Sequence, residues 1–290
     1  MLWTCGDEIV ERYTLQMDQD GPHLRRAAAI DFRAVAGLAD AQRPWFRFTD
    51  EVKPVVLCGR PLLLVTSSGD GGVALVDASG AGCVVFAAPL ANAHSAELLP
   101  DGTIVAAGSI GTDHLVAYRY AGAGAGTWAE WTSIALPHGH GVVWDQVLGC
   151  IWAVGDATVL RMPMPGDGPW RPLQTIALPD SGAHELTPDP ITGDLIISTA
   201  RGVWRMQVDS CEFVGFDGLA GRPSIKSVSI DPRRGRLVMV ADPGEWWSHG
   251  FDWTQGGQTR RVRFGDRIVY KVRWNRSHQR MAASTQEAKA

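Results

Sequence analysis

The chain has 290 residues, of which 45% are hydrophobic and 20% charged, and its formal net charge is −4. These values are typical of a soluble globular protein and give no electrostatic reason to expect binding to nucleic acid or to an anionic membrane. The five cysteines are scattered and include no CxxC pair, which argues against a disulfide framework or a zinc ribbon and favours a reducing compartment.

The N-terminal sequence MLWTCGDEIVERY lacks the basic and apolar regions of a signal peptide. No apolar stretch approaches the roughly 18 residues needed to cross a bilayer. We therefore expect a cytoplasmic protein, although a secreted chain whose signal had been removed would look the same. Strands are predicted at residues 2–5, 9–15 and 27–32. A long connection over residues 33–50 follows, with the helix-like sequence RAVAGLADAQR, and loops of that length are often functional.

Five segments in the middle of the chain repeat one pattern of a short strand, a turn and a strongly apolar strand. They begin at Val52, Ala93, Gly139, Ala183 and Ile225. Two further strand-like runs follow in each repeat, for example at residues 115–120 and 131–136. Four strands at a spacing of roughly 40–45 residues are typical of a propeller blade. The sequence AGAGAG at residues 121–126 is predicted to be a loop without phosphate-binding character, since no helix or lysine follows it.

The two ends of the chain supply a sixth blade. Residues 269–274 (VYKVRW) form another first strand, and the three N-terminal strands lack an inner one. Pairing them would close the ring and leave no free edge. We therefore predict one all-β domain over residues 1–276, a six-bladed β-propeller whose last blade combines residues 269–275 with residues 1–33. A polar tail is predicted over residues 277–290. Seven blades or a β-sandwich are the alternatives, and a monomer is expected.

Equivalent positions on the first strands of a propeller form a ring around the central channel. The stacked segments place six residues in this ring: Lys53, His94, His140, His184, Lys226 and Tyr270. One histidine in a strand is usually structural, but three on consecutive blades suit a divalent transition metal with open coordination positions. We predict that the three histidines bind a divalent metal such as Mn, Zn, Fe or Ca. A hydrogen-bonded histidine cluster around channel water is the alternative.

Two lysines stand on the blades immediately outside the histidines. Beside a cation, the ammonium groups of Lys53 and Lys226 favour an anionic ligand, because a carboxylate or phosphate would satisfy both the metal and the lysines. Asp50 could instead neutralise Lys53. The candidate catalytic acids and bases are Lys226, Lys53, Tyr270 and His249.

The loop between the second and third strands of each blade opens on the same face as the ring. In the fifth repeat this loop carries Trp246 and Trp247, which together would form a flat platform for a sugar ring. Core packing is the alternative for either tryptophan. His249 follows them as a possible acid, base or fourth metal ligand. Weaker candidates for substrate contacts are His114, Arg201, Trp45 and Arg47.

The strings DEVKPV, NAHSAELLPDG, HGHGVVWD, IKSVS and EWWSH resemble those of a bacterial propeller family of unassigned function, over residues 50–274. That resemblance implies the fold but no chemistry. In architecture alone, the histidine ring is similar to that of oligogalacturonate lyases, propeller enzymes that hold a divalent metal with histidines and a glutamine and cleave uronate sugars by β-elimination. This chain departs from them in having six predicted blades instead of seven and no glutamine in the ring, so the lyase chemistry is implied by analogy only.

The first functional hypothesis is a metal-dependent lyase that cleaves a small acidic, uronate-containing saccharide. A metal-dependent glycoside hydrolase and an isomerase would use the same residues. A non-haem iron oxygenase is a further alternative, although it would favour an apolar tunnel over two lysines. The non-enzymatic alternative is a propeller that binds a sugar or a protein partner.

Overall fold

The computed structural model describes residues 1–19, 21–79, 82–120 and 128–281. Within these ranges the strands form six four-stranded antiparallel sheets. In five sheets the hydrogen-bonded neighbours are consecutive in sequence, and in the sixth the last strand of the chain pairs with the first. The chain is therefore a six-bladed β-propeller, and the predictions of seven blades and of a sandwich are wrong. The loop predicted at residues 121–126 and residues 282–290 of the predicted tail lie outside the described residues.

The strands follow one another around the ring. The chain begins with β1 (Leu2–Cys5), β2 (Ile9–Asp18), β3 (Gly21–Asp31) and a 3-10 helix (Asp40–Phe46). Blade 1 contains β4 (Thr49–Leu57), β5 (Arg60–Ser67), β6 (Gly72–Asp77) and β7 (Cys83–Pro89). Blade 2 contains β8 (Ala93–Leu98), β9 (Ile104–Gly108), β10 (His114–Tyr120) and β11 (Trp128–Ala135). Blade 3 contains β12 (Gly141–Asp145), β13 (Cys150–Val154), β14 (Thr158–Met162) and β15 (Gln174–Ala177). Blade 4 contains β16 (Glu185–Pro188), β17 (Leu195–Ser198), β18 (Val203–Met206) and β19 (Phe213–Gly215). Blade 5 contains β20 (Ile225–Asp231), β21 (Gly235–Val240), β22 (Gly250–Gln255) and β23 (Gln258–Arg263), and β24 (Lys271–Trp274) joins β1–β3 in blade 6.

The apolar core lies between adjacent blades. Strands β9 and β13 are buried over their whole length because both of their faces pack against neighbouring sheets, which explains why their sequences are unbroken apolar runs. The outermost strand β11 contains only half-buried and exposed residues. This packing holds the six inner strands side by side around the channel.

The ring closes through the two ends of the chain, as predicted. Strand β24 pairs antiparallel with β1, with Leu2 opposite Trp274 and Cys5 opposite Lys271. The closing contact joins residues far apart in sequence, and it gives the inner strand of blade 6 the partner that the N-terminal strands lack.

The connection before β4 contains no α-helix among its described residues. Its RAVAGLADAQR sequence forms turns and the start of the 3-10 helix. The buried Phe46 stacks on Phe32 at a centroid distance of 4.5 Å. Trp45 packs against the same apolar cluster between blades 6 and 1. Trp45 is partly buried against this cluster, so packing accounts for its position, and the predicted contact with substrate stays a prediction.

Beyond β24, residues 275–281, here called the C-terminal segment, cross the channel on the side opposite the predicted site. The backbone of Arg280 bonds to Trp144 and Gln146 of blade 3, and Gln279 donates to the Leu98 carbonyl of blade 2 at 3.0 Å. The tail boundary predicted at residue 277 thus falls within a packed segment. No helix in the described ranges combines the length and apolar character needed to cross a membrane.

Candidate functional site

A cleft of about 570 Å³ opens at one mouth of the channel. Five of the six residues predicted to form the ring line it: His94, His140, His184, Lys226 and Tyr270. The remaining lining residues come from the connections and loops around the mouth, including Arg47, Phe48 and Trp246. The geometry thus brings together most of the residues that the repeat pattern placed at one level.

Three of the site residues lie at β-bulges, where the regular pairing of the inner strand with its neighbour is interrupted. The ladders of β4, β8 and β20 each contain an extra residue at the start of the strand: Asp50, His94 and Lys226, respectively. A bulge breaks strand alternation and re-aims a side chain, and bulges are common beside active sites. His140 and His184 immediately precede β12 and β16. The residue of blade 1 that is equivalent to the histidines is therefore Asp50.

The prediction that Lys53 belongs to this ring is wrong. Its Nζ donates to the Val142 carbonyl at 2.6 Å and lies 3.4 Å from Glu97 Oε2, deep in the channel. Strand β4 has nine residues where β8 has six. Aligning the two repeats on their turns therefore shifts the ring position from Asp50 to Lys53. Because Lys53 is buried in an ion pair, it does not contact a ligand in the cleft.

The middle of the channel is filled by a buried ion network. Arg273 bonds to Glu51 through Nε at 2.7 Å and to Glu185 at 2.8 Å, and Lys271 Nζ lies 3.3 Å from Glu51. With Lys53 and Glu97, the network holds three cations and three carboxylates. The adjacent guanidinium and ammonium groups keep the pKa of Glu51 well below its usual range despite full burial. These charges compensate one another, so the network is structural.

The three histidines are in mutual contact. The rings of His94 and His140 stack at 4.1 Å with an interplanar angle of 20°, and His184 meets His140 edge-on at 5.0 Å. Burial lowers the pKa of His140 to about 4 and that of His184 to about 2. Burial, followed by the charge of His140, also holds the pKa of His94 well below its usual range. All three imidazoles are therefore neutral near pH 7.

The ring arrangement does not fit a shared metal. A metal bound by an imidazole lies in the ring plane, and the near-parallel planes of His94 and His140 do not meet at one point between them. His94 Nε2 lies 3.0 Å from Asn92 Oδ1, and His184 Nε2 lies 3.0 Å from Lys226 Nζ. Across the described ranges, no group of three or more His, Cys, Asp or Glu side chains is placed to hold a metal ion. The divalent metal stays a prediction, and it would require these rings to turn.

The hydrogen bonds assign the histidine tautomers. His140 Nδ1 bonds to the His138 carbonyl at 2.8 Å, and because a carbonyl only accepts, Nδ1 carries the proton and Nε2 is left with a lone pair. His184 Nε2 accepts from the Lys226 ammonium group, so its buried Nδ1 carries a proton and has no partner within the described structure. His140 therefore has the nitrogen best placed to accept a proton from a ligand.

Lys226 is a largely buried charged group of the cleft, whose lining also includes the exposed side chains of Arg47 and Asp70, 3.6 Å apart. Burial, followed by the charge of Lys271, lowers its pKa to about 8. It makes no ion pair with a carboxylate anywhere in the described chain, and its contact is the neutral ring of His184. A largely buried amine that is mostly protonated at pH 7 and has a neutral partner is suited to binding an anion.

Asp50 is the site residue whose role the sequence did not reveal. It is fully buried, and its Oδ2 accepts from the Ser68 backbone N–H. Its Oδ1 lies 3.6 Å from His94 Nδ1, and neither atom has a hydrogen-bond partner. Burial raises the pKa of Asp50 to about 8, so its carboxyl group is largely protonated at pH 7. It therefore adds little negative charge to the cleft.

Aromatic side chains form one wall. Trp246, with 41% of its surface exposed, packs against Phe48 at 5.4 Å and against Tyr270 at 5.8 Å. Burial raises the pKa of Tyr270 well above its usual range, so its phenol keeps its proton. Trp246 thus lies where the sequence placed a sugar platform.

The other predicted loop residues lie outside the cleft lining. Trp247 packs edge-on against His249 at 4.9 Å, and His249 Nδ1 bonds to Asp242 at 3.0 Å. Arg201 is an exposed side chain paired with Asp180 at 3.6 Å. The structure does not bring these three residues into the lining of the cleft, and their roles stay predictions. His114 is exposed, whereas Arg47 does line the cleft.

Comparison with known proteins assigns a family. Residues 31–281 match the family of unknown function DUF6528. The chain belongs to this family. No curated protein matches this DUF6528 chain. The predicted membership of a propeller family of unassigned function is thus confirmed, whereas the likeness to oligogalacturonate lyases remains an analogy of architecture.

Solved propeller structures resemble the DUF6528 chain at low sequence identity. A candidate 6-phosphogluconolactonase of Bacteroides fragilis has 13% identity and a TM-score of 0.57, covering 91% of this chain and 83% of its own. The periplasmic gluconolactonase PpgL of Pseudomonas aeruginosa has 18% identity and a TM-score of 0.56, with coverages of 93% and 80%. A functionally unknown protein of Desulfotomaculum acetoxidans has 10% identity and a TM-score of 0.55, with coverages of 90% and 78%. At these identities the likeness shows the fold alone.

Proposed function

We propose that the DUF6528 chain is a carbohydrate-active enzyme whose channel-mouth cleft binds an acidic saccharide. The observation that carries this proposal is Lys226, a largely buried amine in the cleft without a carboxylate partner in the described structure. The carboxylate of a uronate would supply that partner, and the exposed ring of Trp246 would pack against the sugar. A neutral sugar would leave the amine uncompensated.

The reaction that these groups support best is β-elimination. With the carboxylate held by Lys226, the free Nε2 of His140 accepts the proton from the carbon next to the carboxylate. The electron pair forms a carbon–carbon double bond as the bond to the leaving oxygen breaks, and the Tyr270 phenol donates a proton to that oxygen. Each group is in the required state, because His140 is neutral and Tyr270 is protonated near pH 7. No step depends on a metal.

The test is a panel of uronate oligosaccharides with neutral oligosaccharides of the same length as controls. Elimination creates a double bond conjugated with the carboxylate, which is followed by its ultraviolet absorbance. We expect turnover of acidic substrates only, and a fall of about 100-fold or more in kcat/KM for His140→Gln. Turnover of the neutral series, or full activity in His140→Gln, would refute the assigned roles.

Lactone hydrolysis is the second candidate, favoured by the same free nitrogen of His140. As a general base it would activate water for attack on a lactone carbonyl, and Lys226 would hold the carboxylate of the product. Two of the similar propellers carry gluconolactonase names, which suggests the substrates to try. This reaction releases a proton without ultraviolet absorbance, so a pH indicator distinguishes it from elimination.

A further inference from the structure

A second and larger cavity, of about 880 Å³, opens at the opposite end of the propeller from the cleft. It lies between blades 6 and 1, where β1, the β4–β5 hairpin and the C-terminal segment meet. Its apolar wall includes Trp3, Val56, Leu62 and Met281. Val56 and Met281 are 68% and 54% exposed, so apolar surface faces solvent here. The volume is within the range of small-molecule sites.

The charges of this cavity are unbalanced. Three guanidinium groups line it, from Arg12, Arg60 and Arg276, against the single carboxylate of Asp77. Asp77 is already bonded to Arg60 at 2.7 Å. Arg276 donates to the Ile230 carbonyl at 2.8 Å and makes no ion pair with a described carboxylate, and Asp231 and Asp189 contribute to its electrostatic surroundings.

Arg12 is the group most clearly without a partner. Its guanidinium lies 5.6 Å from the centre of the Trp3 ring, and its Nε is buried without a hydrogen-bond partner in the described structure. It makes no ion pair with any described carboxylate. The guanidinium has terminal N–H groups besides the buried Nε, and a cation that lines a cavity without an ion-pair partner is suited to binding a carboxylate through them.

We infer that this cavity is a binding site for a small amphipathic carboxylate, with its apolar body against Trp3 and Leu62 and its carboxylate on Arg12. An apolar wall with an unpaired guanidinium beside it matches that ligand in both shape and charge. The site shares no lining residue with the channel-mouth cleft. The inference is therefore independent of the reaction proposed for the cleft.

The experiment is isothermal titration of the full chain with octanoate, and with octanol as the uncharged analogue of the same chain length. We expect one octanoate bound per chain and weaker binding of octanol. Arg12→Met should weaken octanoate by about 10- to 100-fold, the worth of a hydrogen bond to a charged group, and leave octanol unchanged.

Two further variants locate the site. Val56→Asp places a carboxylate at an exposed position of the cavity wall and should also weaken octanoate at least tenfold without loss of folding. Lys226→Met, in the cleft at the other mouth, should leave octanoate binding unchanged. Absence of octanoate binding, equal affinity for octanol, or equal affinity of Arg12→Met and the unmodified chain would each overturn the inference.

Discussion

The C-terminal segment offers a quantitative test of how the propeller is held together. Arg280 donates through Nη1 to both oxygens of Asp145 at 2.8 Å, and Asp145 is fully buried at the end of β12. We predict that Arg280→Met destabilises the protein, because it leaves this carboxylate without its cation. Removal of one partner from a buried pair costs about 3–5 kcal/mol.

The remaining bonds of Asp145 place the cost at the lower end of that range. The carboxylate keeps three donors, the backbone N–H groups of Val147 and Leu148 at 3.0 Å and the indole of Trp152 at 2.9 Å. We therefore expect a loss of about 3 kcal/mol. At an unfolding entropy of about 2.1 cal/mol/K per residue, this corresponds to a fall in Tm of roughly 5 °C.

The matched control is Arg60→Met. Arg60 and Asp77 are joined by a bond of similar length, 2.7 Å, but 63% of the Arg60 side chain is exposed. Exposed pairs contribute about 0–1 kcal/mol, so Tm should fall by less than about 2 °C. Circular dichroism melts and urea titrations measure both variants. Equal losses in the two variants, or no loss in Arg280→Met, would refute the reasoning from burial.

Three further outcomes test the site. Lys226→Met should weaken acidic saccharides by about 2–5 kcal/mol and their neutral counterparts hardly at all, as measured by titration calorimetry; equal losses would contradict an anionic ligand. Turnover should rise with pH as His140 loses its proton near its pKa of about 4, and it should fall above the Lys226 pKa of about 8 because the neutral amine no longer holds the carboxylate. A rate that still increases at pH 10 would argue against the roles of both residues. Dialysis against EDTA should leave activity and Tm unchanged, because His94 and His140 stack in near-parallel planes; a loss reversed by a divalent metal would support the metal-ligand prediction.

The sequence was sufficient to predict the fold and most of the cleft. Apolar runs such as Ile104–Gly108 and turns at a regular spacing are local features that can be recognised in the sequence. The single strand predicted near the C-terminus and the three N-terminal strands without an inner strand together predicted how the ring closes. The ring positions of His94, His140 and His184 followed from that repeat. They could be predicted because blades 2, 3 and 4 have inner hairpins of similar length.

The errors arose where a blade departs from the repeat. The longer β4–β5 hairpin moved the predicted ring position from Asp50 to Lys53, and only the observed ladder shows the extra residue. His249 forms a hydrogen bond with Asp242, which lies seven residues before it in the same loop. Such partnerships depend on loop conformation, which periodicity does not report. The packing of Gln279 and Arg280 against blades 2 and 3 was missed for a related reason, since a polar sequence gives no apolar signal for burial.

The distribution of charge along the channel links these features to ligand selection. In the middle layer, the carboxylates of Glu51, Glu97 and Glu185 offset the cations of Lys53, Lys271 and Arg273. At the far end, the C-terminal segment crosses the channel and pairs Arg280 with Asp145. The cleft layer differs, because its histidines are neutral, Asp50 is largely protonated and Lys226 has no counter-ion among the described residues. The carboxylates of the middle layer and of the far end are already paired with cations, so they provide no counter-ion for Lys226. An anion that enters through the open mouth of the cleft would provide that counter-ion.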